Sequence, residues 1–368
     1  MRNLSHQIAA RLLIAYCVGV AALSGCATTP VEAPAAPLVF PSPPAEPRFF
    51  FERSLRFNDN VQQPAAADKF KRFISGGAKE VRGLVKPFDV AAYHGRIYVT
   101  DSIQKLVVLF DIPGGRYVEF GNSEPAALDK PTGITVSSAG EVFVADTGAQ
   151  KIRVYSGDGI YLRSIGDAQS LQRPSDVAVD VERNRLYVVD AGGVESQQHG
   201  VKVFDLTTGE PLQFIGKRGT EPGDFNLPLQ AALDNDGNLY VVDSGNFRVE
   251  GFAPDNKLIV NFGSLGRYPG QFARPKGIAT DPLGNIYVVD SAFGNFQIFD
   301  PNGQLLLFIG KRGEASRPAN YMLPAGIAVD YDGRVYVVDQ FFRKIDVFRP
   351  AALEREQGFT ALPPQDDE

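Results

Sequence analysis

Six aspartates recur in one phrase: YVTD ends at Asp101, FVAD at Asp146, and YVVD at Asp190, Asp243, Asp290 and Asp339. A carboxylate after an apolar β-forming run can serve as a general acid, ligate a metal or tie down a turn. The steps between the six are 45, 44, 53, 47 and 49 residues. A reaction needs one or two such groups, not one in every repeat. Each ends an apolar run and begins a turn, where its carboxylate can accept backbone N–H groups that lack ladder partners. The six are therefore read as structural turn residues. Basic residues five positions later, Lys151, Arg248 and Lys344, are read as turn or inter-repeat ion pairs.

Other chemistry is limited by composition. The chain has 368 residues, 44% hydrophobic and 11% aromatic, with net charge −6, three histidines, two cysteines and no tryptophan. That balance gives no global electrostatic case for nucleic acid. Arg2 and Arg11 precede LLIAYCVGVAAL, an apolar run too short to span a bilayer, which reads as a secretory signal peptide over residues 1–25. The run ends in LSGC, Leu23–Cys26, which resembles the bacterial lipobox and implies acylation of Cys26. Ala27 after it is not the inner-membrane retention aspartate, so the resemblance implies an outer-membrane lipoprotein facing the periplasm. Cleavage takes the charge to −8, removes Cys17 and leaves two histidines, His94 and His199. Disulfides and cysteine-ligated zinc are thereby excluded from the folded part. Residues 26–47 hold the lipidated cysteine and a Pro/Ala-rich tether with seven prolines. At roughly 3.1 Å per residue it reaches about 60 Å. It reads as a spacer without a partner of its own.

The elements that position the aspartates also repeat. A proline stands about fifteen residues before each: Pro87, Pro131, Pro174, Pro228, Pro275 and Pro324. It opens a short apolar strand, as in KPTGITV or RPKGIAT. A strand ending in an aromatic follows each aspartate, at Phe110, Tyr155, Phe204, Phe252, Phe299 and Phe348, and then a fourth such as QLLLFIG. The turns NDGN, PLGN, YDGR and DPNG are hairpin chemistry. Four strands at a period in the forties predict an all-β, six-bladed β-propeller of four-stranded antiparallel blades over residues 69–349. Residues 48–68 form an N-terminal extension and 350–368 a C-terminal tail.

EPGDFNLP and YPGQFARP leading into GNIYVVD, with DTGAQKIRVY and DSGNFRVEGF, resemble the NHL repeat, a six-bladed propeller family. The tether followed by PRFFFERSLRF is similar to bacterial propeller lipoproteins. Departures are the insertion GGVESQQHG after Asp190 and Leu106 in place of a basic residue. The last blade lacks a fourth strand after Phe348. KFKRFIS (Lys69–Ser75) is predicted to supply it from the N-terminal side: Ile74 precedes Pro87 by 13 residues, as Ile215 precedes Pro228 and Phe262 precedes Pro275. GFTAL near the C-terminus is the rival, and RFFFERSLRF is a possible edge strand without an assigned place.

In a propeller, the turns between strands one and two and between three and four share a face, and here they are tight. The opposite face collects the long connections GKRGTEPGDFN, GSLGRYPGQFA, GKRGEASRPANYM, AGGVESQQHG and QFFRK. Function concentrates on loops held by a rigid scaffold. That face gathers Lys217, Arg218, Arg267, Lys311, Arg312 and Arg343 beside Phe247, Tyr268, Phe293, Phe341 and Phe342. Two readings stand: an anion-binding rim for a protein, peptide or acidic glycan, or solvated turn charges with aromatics plugged between blades. Phe225 and Phe272 are read as core.

The resemblance also brings enzymes into view. Gluconolactonase-type propellers use carboxylates and amides for a metal on the axis, and a peptide-amidating lyase uses histidines. Two histidines do not make a three-histidine zinc site. Asp89, Asp176 and Gln230, two residues after their prolines, offer an alternative oxygen-ligand site for calcium or another divalent ion; Gly133, Gly277 and Gly326 hold the equivalent positions elsewhere. No Ser-His-Asp pattern, phosphate loop or quinone-stacking tryptophan is present, and the cysteine-rich module of NHL ubiquitin ligases is absent. Export argues against RNA. The expectation is a membrane-anchored envelope binding or assembly module without a catalytic residue or cofactor; the alternative is a metal-dependent hydrolase or lyase using the channel.

Overall fold

The second strand of every repeat carries an apolar run because both of its sides are covered. In a computed structural model, which describes residues 37–62, 81–193 and 195–361, Tyr287, Val288 and Val289 are 3%, 0% and 0% exposed. A strand buried on both sides reads as a continuous apolar run rather than as an alternation.

Blade one comprises Pro87–Tyr93, Arg96–Asp101, Leu106–Asp111 and Arg116–Phe120. Blade two comprises Pro131–Val136, Val142–Asp146, Lys151–Tyr155 and Tyr161–Ile165. Blades three, four and five open with Pro174–Asp180, Pro228–Leu233 and Pro275–Thr280 and continue in the same antiparallel order. Six apolar clusters fill the six gaps between neighbouring blades, including the gap between blades six and one, where Val90 and Val108 meet Tyr336 and Ile345. The protein is a closed six-bladed β-propeller.

Blade six contains Pro324–Val329, Val335–Asp339 and Lys344–Pro350. Its fourth strand comes from the N-terminal side, and it is Phe49–Leu55. The expected closing segment Lys69–Ser75 lies outside the described residues, and the place it was given is taken. A strand arriving from a chain end need not keep the usual connection to the next blade, on which that spacing depends. What selects Phe49–Leu55 is chemistry. Phe51 meets Phe348 edge-on at 5.9 Å, Ser54 Oγ donates to Asp346 Oδ1 at 2.6 Å, and Glu52 accepts from the buried Arg334 at 2.9 Å. Val39–Phe40 adds a fifth strand that covers the outer edge. Among its described residues the rival GFTAL contributes no strand; the Arg53 guanidinium bonds the Thr360 carbonyl.

Candidate functional site

Each repeated aspartate is fully buried and bonds backbone N–H groups around it. Asp290 accepts from Ala273 at 2.7 Å and Arg274 at 3.0 Å, just before the first strand of its blade, and from Ala292 at 2.8 Å and Phe293 at 3.1 Å in its own turn. Asp101 makes the same four-way set with Val85, Lys86, Ile103 and Gln104. Asp146, Asp190 and Asp339 each bond two residues of the incoming segment and one turn N–H. Asp243 takes one N–H, from Asn226, and replaces the others with the side chains of Asn246 and Arg248. The six lie in six separate blades.

Two residues after the basic position stands a second recurrent group. Glu250 accepts from the Gly223 N–H at 2.9 Å. Gln297 accepts from the Gly270 N–H at 2.7 Å and donates to the Gln271 carbonyl. Asp346 accepts from the Ala319 N–H at 3.0 Å. Each pins a long inter-blade connection to the blade that follows it. Arg248 lies between Asp243 and Glu250 at 3.2 and 3.3 Å, and Lys344 is buried against Asp346 at 2.6 Å. Burial pushes Glu250 up to about 7 and Asp243 up to about 6, against the pull of their hydrogen bonds and of Arg248.

The pinned connections share one shape. Arg218 bridges to Phe225, Leu265 to Phe272, and Lys311–Arg312 to Asn320–Tyr321, all in parallel. Phe225, Phe272 and Tyr321 are 0% exposed and fill the space beneath. With the loop backbone fixed, Lys217, Arg218, Arg267, Lys311, Arg312 and Arg343 are exposed on the long-connection face. Lys217 stands 3.7 Å from Asp224. Tyr268 is 77% and Phe341 59% exposed. Phe247, Phe293 and Phe342 are half-buried.

A recess opens on the other face. A cavity of about 360 Å³ runs down the axis from the tight turns after the innermost strands to Asp89, Asp176 and Gln230. These three side chains lean toward the following blade: Asp89 Oδ2 accepts from the Ile134 N–H at 3.1 Å and Asp176 Oδ2 from the Ala231 N–H at 2.8 Å. Gly326 and Gly133 lie behind them so closely that a Cβ at either would collide with the carboxylate in front. Burial pushes Asp89 up to about 7, opposed by the facing Gln230 amide and by backbone N–H groups. Asp176 is raised well above the carboxylate range, first by burial and then by the charge of Asp89. Among the described residues, no three His, Cys, Asp or Glu side chains gather to hold a metal. His94 is stacked between Tyr93 and Phe359 at 4.1 and 4.5 Å. His199 is buried and accepts from the Leu227 N–H at 3.2 Å through Nδ1.

The sequence named the channel and Asp89, Asp176 and Gln230 in it, but not the extent of the cavity, whose walls include Ala91, Ala178 and Ala279, which carry no motif. Sequence reasoning also missed a tyrosine–aspartate pair beside the tight turns, Tyr287 to Asp281 at 2.9 Å and Tyr336 to Asp330 at 2.7 Å. The spacing D-x5-Y was present in the sequence to find it.

Residues 128–155, 225–252 and 272–299 match the model of the NHL repeat. The chain carries NHL repeats. This NHL propeller is 25% identical to human NHL repeat-containing protein 3 over 187 residues, 45% of this chain and 51% of that protein. It is 24% identical to the Drosophila melanogaster protein brain tumor over 152 residues, 40% of this chain and 14% of that one. The chain thus aligns with about half, or less, of the length of these relatives. Among solved structures, a Bacteroides thetaiotaomicron protein of unknown function superposes at TM-score 0.58 and 20% identity, covering 73% of this chain and 70% of its own. A Xanthomonas campestris gluconolactonase superposes at 0.56 and 18%, covering 73% and 86%. A streptogramin B lyase does so at 0.51 and 16%, covering 72% and 94%. These likenesses carry the propeller fold and nothing of the chemistry.

Proposed function

We propose that this NHL propeller is a binding or assembly module of the bacterial cell envelope, exported, anchored to the outer membrane through acylated Cys26 and facing the periplasm. Its ligand is an anionic peptide, protein segment or acidic glycan held on the long-connection face. One observation carries the reading: exposed cations stand on three successive loops of one pinned shape, at Lys217–Arg218, Arg267 and Lys311–Arg312. An acidic chain that fixes cations on a rigid rim beside exposed Tyr268 and Phe341 fits charge-assisted recognition. The test compares wild-type protein with Lys217→Ala/Arg218→Ala/Lys311→Ala/Arg312→Ala for binding of poly-L-glutamate and of polygalacturonate. Loss of binding with unchanged melting supports the reading, and equal binding refutes it. Cys26→Ser releases the protein from membranes if acylation is its anchor; continued membrane association refutes that part.

A second reading, a metal-dependent hydrolase or lyase working in the channel, is favoured by the deep cavity ending on Asp89, Asp176 and Gln230. One tightly bound divalent ion per purified chain, detected by elemental analysis, would put that reading first.

A further inference from the structure

The axial cavity lies on the face opposite the basic loops, so what it holds is a separate question from the proposed anion binding. We propose that it takes an elongated organic cation, whose ammonium or guanidinium end enters from the tight-turn face and sits among Asp89, Asp176 and Gln230. Two buried carboxylates and an amide are the polar side chains at its inner end, with Asp89, Asp176 and Gln230 only 4%, 3% and 5% exposed. The Gln230 amide faces Asp89 as a hydrogen-bond partner and favours its charged form.

The remaining lining gives the charge and the shape. Arg183 is the single cation among the lining residues and is held by Asp180 at 3.0 Å. Glu182, Asp234, Asp281 and Asp330 make the rest of the rim acidic. The last three are committed to their own turns and to tyrosine hydroxyls, so they supply field rather than contacts. Such a focused negative field draws cations into the cleft. A volume of about 360 Å³ is roughly that of a dozen waters at about 30 Å³ each. A bare metal ion would leave most of it unfilled, and calcium asks for six to eight oxygens, whereas each carboxylate here already has one oxygen on a backbone N–H. N–H donors on an elongated molecule use both the length and the acidic pair, whose charged form a bound cation favours against the burial that favours the neutral one.

Calorimetric titration of the full chain with 1,4-diaminobutane and with agmatine tests this, with 1,4-butanediol and calcium as comparators. The expected result is saturable one-to-one binding of the amines, no binding of the diol, and a loss of about tenfold or more, or about 1.4 kcal/mol, in Asp89→Asn/Asp176→Asn. Should that variant fail to fold, Arg183→Gln decides: it removes the rim cation on an exposed turn and should tighten amine binding several-fold at low salt. Amine binding that is absent, equalled by the diol, replaced by calcium binding alone, or unchanged in the variant that folds would overturn the proposal. The quadruple long-loop variant should bind the amines as wild type does, so this result and the fate of the anion reading are independent.

Discussion

Replacing Glu52 by alanine tests whether Phe49–Leu55 is the strand that closes the ring. The Arg334 side chain is 0% and the Glu52 side chain 3% exposed. Arg334 Nε donates to Glu52 Oε2 at 2.9 Å, and its Nη2 to the Gln357 carbonyl at 2.8 Å. Removing one partner of a buried pair leaves an uncompensated charge and costs about 3–5 kcal/mol. Asp332 remains 3.4 Å from Arg334, which puts the expected loss in the lower half of that range. An unfolding entropy of about 2.1 cal/mol/K per residue over roughly 300 residues converts about 3–4 kcal/mol into a fall in Tm of roughly 5–6 °C. Calorimetry or circular dichroism reads the shift. The double variant Glu52→Leu/Arg334→Met should recover most of it, because exchanging both partners for apolar groups removes the stranded charge. A Tm for Glu52→Ala within about a degree of wild type would refute the closure, since a strand that is not docked cannot bury this pair.

Asp290→Ala strands four N–H donors bonded at 2.7 to 3.1 Å and should cost at least about 3 kcal/mol, read as a fall in denaturant midpoint; a neutral substitution would contradict its turn role. Asp89 makes stability depend on pH. Its folded value is pushed up to about 7 from an unfolded value near 3.9, so between those limits the folded chain holds a proton that the unfolded chain has released. Stability should therefore fall as pH rises from about 4 to about 7, and Asp89→Asn should flatten that slope in denaturant midpoints; an unchanged slope would refute the assignment.

The periodic parts of the molecule were legible because a propeller writes its blade several times. Proline, apolar strand, YVVD and aromatic each mark a fixed place, and one pass along the chain locates the first three strands of every blade. Phe49–Leu55 was legible as a possible edge strand, but its place escaped because it occurs once, arrives from a chain end and is selected by partners some 300 residues away, Arg334 and Phe348. Glu250, Gln297 and Asp346 escaped for another reason. They do one job with three residue types, so their recurrence is visible in the hydrogen bonds to Gly223, Gly270 and Ala319 and not in the letters. The candidate cations were readable as charges on long loops. That those loops are rigid follows only from the buried Phe225, Phe272 and Tyr321 beneath them.

The basic rim is the proposed place of recognition. Its direct measurement is calorimetric titration of poly-L-glutamate into wild-type protein and into Lys217→Ala/Arg218→Ala/Lys311→Ala/Arg312→Ala at two salt concentrations. Salt-sensitive binding that the four substitutions abolish while Tm stays unchanged is the predicted result. Binding that survives the substitutions undiminished, or none by wild type at low salt to either this probe or polygalacturonate, would contradict it.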